Sequence, residues 1–108
     1  MRLTFRGEVF EWRGPAPYHF VAVPELEAER IRDVAAMVTY GWGVIPAAAA
    51  TGRTEWTTSL FPKQGGYLLP VKDAVRRAEG IRIGDVIEVT LTLDLSRQRA
   101  PRRRRPAN

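Results

Sequence analysis

Cysteine is absent from this 108-residue chain, and histidine occurs once. The first absence removes disulfides, thiolate nucleophiles and cysteine-held metal sites. The second isolates His19, whose neighbours Tyr18 and Phe20 supply neither a metal ligand nor an acid–base partner, so it reads as an ordinary strand residue. There is no Gly-x-Ser-x-Gly elbow and no Ser-x-x-Lys pair, which leaves Thr57, Thr58 and Ser59 as strand hydroxyls without a base to activate them. No apolar run approaches the roughly 18 residues that a membrane helix needs. The stretch from Arg2 to Trp12 alternates and carries charge, unlike a secretion signal. These absences lead us to expect a cytoplasmic, non-enzymatic protein that needs no cofactor and no membrane.

Charge is distributed unevenly. The chain carries a formal +5, but six of its 17 basic residues fall within residues 97–108 (Arg97, Arg99, Arg102, Arg103, Arg104 and Arg105), and none of its acids does. Residues 1–96 therefore hold 11 basic and 12 acidic side chains, a net charge of −1. Arginine interrupted by proline, with almost nothing apolar to bury, predicts a disordered segment over 97–108. Such a segment can bind phosphates through charge and paired hydrogen bonds, which makes nucleic acid a candidate partner.

Residues 1–96 read as one domain. Leu3, Phe5 and Val9 alternate with Arg2, Thr4, Arg6 and Glu8, a strand in which Gly7 marks a bulge or a close backbone approach. Arg13 to Pro17 is a turn, and Tyr18 to Val23 a second strand. Pro24 opens a helix whose stripe is Ile31, Val34, Ala35 and Val38, ended by Tyr40-Gly41-Trp42-Gly43. Strands follow over Val44 to Ala50 and Thr54 to Phe61, with a turn at Thr51-Gly52-Arg53 and a loop from Pro62 to Gly66.

The densest information lies between Gly66 and Val89. Tyr67, Leu68 and Leu69 suit a buried strand. Pro70 is placed to open a short helix with Ala74, Val75 and Ala78 inward, and Arg76, Arg77 and Glu79 outward. Gly80 is the expected left-handed stop, Gly84-Asp85 a turn, and Val86 to Leu95 a strand of period two. Phe20 to Pro24 with its following helix echoes Tyr67 to Pro70 with its own, suggesting that one chain carries both halves of a barrel.

This strand–helix–Gly-Asp–strand unit resembles the half-barrel of AbrB/MazE-type swapped-hairpin proteins. A more specific resemblance covers roughly residues 3 to 95. It rests on Phe5 to Val9, Val21 to Pro24, Tyr40 to Gly43, Trp56 to Pro62, Gly65 to Lys72, Val75 to Ala78 and Gly84-Asp85. In these the chain is similar to the domain-of-unknown-function family DUF1905. That resemblance implies a mostly β fold, a double-split β-barrel capped by two short helices, with no assigned activity. Ala47 to Ala50 departs from the larger β-formers expected there.

Three sets of candidate binding residues emerge. Trp42, Trp56 and Tyr67 could line a pocket for a small flat ligand. Arg53, Lys72, Arg76 and Arg77, with Lys63, could form an anion-binding rim and contact nucleic acid from the barrel. The arginines of 97–108 could do so from the tail. Asp85 is better explained by turn chemistry than by catalysis. The leading expectation is a small binding or regulatory module; nucleic-acid binding and a ligand-binding barrel are the alternatives.

Overall fold

The structure is a computed structural model and describes residues 1–12, 18–38 and 45–93. Six strands, β1 (Arg2–Trp12), β2 (Tyr18–Ala22), β3 (Ile45–Thr51), β4 (Thr54–Lys63), β5 (Gly66–Pro70) and β6 (Val86–Thr92), close into a barrel in the order β1-β2-β5-β4-β3-β6. Two helices, α1 (Glu25–Val38) and α2 (Asp73–Glu79), complete it. The fold is mostly β, as the sequence implies.

The barrel is split in the same way twice. β1 pairs with β6 through Arg2 to Glu8, then with β2 from Val9 to Trp12. β4 pairs with β3 through Thr54 to Leu60, then with β5 from Phe61 to Lys63. Both halves run strand, strand, helix, strand, so the topology carries the repeat that the Phe20–Pro24 and Tyr67–Pro70 echo suggested. The halves meet along β1–β6, β3–β4 and β3–β6, and also where β2 and β5 pair antiparallel, Val21 opposite Leu69. The Val23 amide donates to the Tyr67 carbonyl and the Val71 amide to the His19 carbonyl, which extends that pairing at both ends.

Alternation fills the interior. Leu3, Phe5 and Val9 of β1, Val21 of β2, Ile45, Ala47 and Ala49 of β3, and Trp56 and Leu60 of β4 are buried. Tyr67 and Leu69 of β5, with Val89 and Leu91 of β6, complete this layer. Antiparallel β2 and β5 send the chain out at opposite ends, so α1 and α2 cover opposite mouths. Ala28, Ile31 and Ala35 pack inward from α1; Val75 packs inward from α2, with Ile81 just beyond it.

Several boundaries differ from expectation. Ile31 and Ala35 of the expected α1 stripe are buried, the stripe begins one turn earlier at the fully buried Ala28, and Val34 is only half-buried. The side chain of Val38 lies outside the described residues. Pro70 ends β5 instead of opening the helix. β4 pairs with β5 only through Gly66 to Leu68, so the missing proline N–H costs no ladder bond on that side. The Pro70 carbonyl instead accepts the Trp56 indole N–H at 3.0 Å. On α2, Ala74 and Ala78 are exposed, leaving Val75 as the one buried residue of a helix too short to present a stripe.

The expected loop from Pro62 to Gly66 contracts to Gln64-Gly65. Both residues have positive φ (51° and 83°), as a two-residue type I′ hairpin requires. The turn at Gly84-Asp85 is as expected: the Asp85 carboxylate accepts the Arg82 amide at 2.8 Å, and the Gly84 amide donates to the Val9 carbonyl at 2.7 Å. Among the described residues, no helix is long and apolar enough to cross a membrane.

Candidate functional site: an aromatic groove on the outer sheet face

Period two sends the remaining residues of each strand outward. On most of the barrel these are polar. On the face built from β1, β2, β5 and β4 they are not. Phe10 lies opposite Phe20, Phe20 opposite Pro70, and Phe61 opposite Leu68, while Trp12 faces Tyr18 in the last pair of the β1–β2 ladder. The Phe20 ring is the hub, its centroid 6.1 Å from Phe10, 6.2 Å from Tyr18 and 6.5 Å from Phe61, the last edge-on. These separations fall in the range of favourable aromatic pairs. The hub is covered but its rim is open: Trp12 is 46%, Tyr18 56% and Phe61 44% exposed.

A groove of about 430 Å³ runs over this cluster, floored by Phe20, Leu68 and Pro70. Trp12 and Tyr18 form one end, and Phe61 with Lys63, two residues further along β4, forms the other. Of the lining residues only Lys63 is charged. Its side chain makes no ion pair among the described residues. The arrangement can hold a flat apolar group against aromatic walls and offer one ammonium at its edge.

A second groove, of about 450 Å³, crosses the opposite face and has a different character. Ala48 and Ala50 of β3 are its low floor, between Thr57 of β4 and Thr90 and Thr92 of β6, with Arg2 and Glu55 at the sides. The run of alanines thus has a structural place. Ala47 and Ala49 pack inside, where small side chains leave room for Trp56, and Ala48 and Ala50 outside, where they leave a depression.

The residues singled out from sequence scatter across the molecule. Trp56 and Tyr67 are both core side chains and do not share one pocket: Trp56 touches the threonine groove, and Tyr67 borders a small cleft with Arg32, Lys63 and Gln64. Burial pushes the Tyr67 hydroxyl pKa up, partly offset by the Arg32 charge. Trp42 lies outside the described residues, as do Arg97, Arg99, Arg102, Arg103, Arg104 and Arg105.

Arg53 and α2 do come together at one mouth, but with acids between them. The Glu79 carboxylate accepts the Thr54 hydroxyl and the Arg53 amide, and both hold its pKa below the usual carboxylate range, the hydroxyl more strongly. Arg76, expected on the outer face, is half-buried and paired with Asp73 at 2.5 Å, a bond that likewise lowers the Asp73 pKa. Lys72 and Arg77 remain exposed. Lys63 lies between the aromatic groove and the Tyr67 cleft instead. His19 is half-buried opposite Glu11. No three metal-binding side chains cluster among the described residues.

Sequence reasoning missed the groove, although its signal is present. Once Leu3, Phe5 and Val9 are assigned inward, Phe10 and Trp12 must face out with Arg6 and Glu8. Once Trp56 and Leu60 are inward, Phe61 must face out. Large aromatics at outward positions of three strands contradict the usual polar exterior.

No curated protein sequence matches the chain. A family model described as a domain of unknown function, DUF1905, matches residues 5–91, spanning β1 to within β6 and so the whole barrel circuit. The chain belongs to the DUF1905 family.

Proposed function

We propose that this chain is a small non-enzymatic binding module whose ligand seats in the aromatic groove over β1, β2, β5 and β4. One observation carries the proposal: Trp12, Tyr18 and Phe61 hold large apolar surface in water around a formed hub at Phe20. Leaving that area exposed forgoes roughly 25 cal/mol for each Å² that a ligand would cover. The walls lie on paired strands, so little ordering opposes binding. The test is a fragment screen read by NMR on the full chain. Ligand-induced shifts should cluster on Trp12, Tyr18 and Phe61, and Trp12→Ala should abolish them. Shifts confined to other surfaces would refute this assignment.

A second reading, nucleic-acid binding, has its own observation in the six arginines of residues 97–108. Arg53, Lys72 and Arg77 could add contacts from the barrel. Support from that side is thinner, because Asp73 and Glu79 are interleaved with these cations.

A further inference from the structure

We propose that the ligand of the aromatic groove is a small planar aromatic molecule carrying one anionic substituent, such as an aromatic carboxylate, with the anion held by Lys63. This deepens the binding-module reading and rests on it.

The ring follows from the walls. Trp12 and Tyr18 stand opposite each other across β1 and β2, and Phe61 meets Phe20 edge-on at 6.5 Å. A flat π-system gains stacking and edge contacts there in addition to burial, and an aliphatic group of equal area gains burial alone. The volume of about 430 Å³ suits a molecule of one or two fused rings rather than a folded chain segment.

The anion follows from Lys63. It is the only charged residue in the lining, is exposed, and makes no ion pair among the described residues. Nearby Arg32 is already engaged by Glu25 at 3.1 Å and by the Gly65 carbonyl. An anionic substituent reaching the β4 end therefore finds an ammonium with no competing ion-pair partner among the described residues. A cationic substituent meets like-charge repulsion at the same place. One cation also speaks for a small ligand. A nucleic-acid strand is held by a row of positive side chains following its backbone, and the groove lining offers no such row.

The test titrates three probes into the full chain and follows the Trp12 indole N–H resonance. Naphthalene-2-carboxylate should shift it saturably. Naphthalene-2-carboxamide should bind about fivefold more weakly, the upper range for an exposed ion pair. Cyclohexanecarboxylate should bind more weakly than naphthalene-2-carboxylate, and equal or tighter binding overturns the aromatic class. Lys63→Gln should bring the carboxylate down to the affinity of the amide while leaving the amide unchanged, and unchanged amide binding also shows that the variant is folded. Equal affinity for carboxylate and amide, indifferent to Lys63→Gln, overturns the anionic class and leaves the groove reading standing. No shift with any probe overturns both. If oligothymidylate moves the Trp12 resonance at lower concentration than the carboxylate does, the small-ligand assignment fails in favour of a strand.

Discussion

The Thr54 hydroxyl donates a hydrogen bond to Glu79 Oε2 at 2.6 Å, and the Arg53 amide donates to the same oxygen at 3.1 Å. The last residue of α2 thereby clamps the β3–β4 hairpin. The contact is close enough that a Cβ on Gly52 would come within 2.1 Å of Glu79 Oε1. Gly52 has φ +57° and stands first in its two-residue turn, the position that a type II′ hairpin gives to glycine.

This clamp predicts an acid-sensitive stability term. The Glu79 pKa is lower in the folded chain than the ordinary glutamate value of about 4.3. A depressed folded pKa adds stability that is fully present above the unfolded value and disappears as pH falls through the folded one, because the unfolded chain takes up the proton first. Urea midpoints of the wild type and Glu79→Gln should therefore differ at neutral pH, begin to approach each other below about pH 4.3, and meet only once the pH is under the depressed folded value. A constant gap between them across that range would remove ionisation from the account.

Gly7 pairs with Ile87, two residues before β1 passes from β6 to β2, and it permits a close approach. A Cβ there would lie 2.4 Å from Val21 Cγ1 and 3.2 Å from the Ala22 carbonyl oxygen. Val21 is fully buried and cannot swing away. Gly7→Ala should cost about 1–3 kcal/mol by overpacking. Adding Val21→Ala should make the double variant more stable than the two single losses predict, because the second change makes room for the first. Strict additivity in chemical denaturation would mean that the two sites do not touch in solution.

The fold was readable where chemistry is local. Gly80 and Gly84 announce left-handed backbone, and both have it, at φ +65° and +95°. Alternation in β1 and β6 placed Leu3, Phe5, Val89 and Leu91 inside. Misreadings came where a distant partner decides. Nothing near Pro70 says that β4 has already left the ladder beside it. The Asp73–Arg76 pair, at i and i+3 of one helix, is local; the partial burial of Arg76 depends on what the barrel packs against it. The groove is a sum over several strands: Phe10, Trp12, Tyr18, Phe20 and Phe61 become one surface only when the registers are known.

Gly80 and Gly84 separate backbone strain from crowding, since nothing lies within 4 Å of a Cβ built on either. Any loss on substitution is therefore conformational. Gly80, with φ 65° and ψ 35°, is left-handed helical, a region asparagine tolerates. Gly80→Val should cost about 1–3 kcal/mol and Gly80→Asn clearly less. Gly84→Val should also cost about 1–3 kcal/mol. Denaturant midpoints equal to wild type for the two valine variants would contradict the observed φ values.

The arginine-rich segment predicts a division of labour between tail and barrel. Residues 97–108 carry six positive charges and almost no apolar surface, and residues 1–96 carry a net −1. A variant ending at Ser96 should thus melt at the same temperature as the full chain, because little that could be buried has been removed. Duplex DNA binding should behave oppositely and disappear with the segment. In the full chain, log affinity should fall linearly with log salt, with a slope of about −0.9 per phosphate neutralised, because each arginine–phosphate contact releases condensed counterions. Sequence preference should be slight, since the segment has no aromatic side chain to stack on a base. If the variant ending at Ser96 still binds duplex DNA with sequence preference, recognition belongs to the barrel, and Arg53, Lys72 and Arg77 are the side chains to replace first. Loss of several degrees in melting temperature on truncation would instead show that the arginines pack against the folded domain.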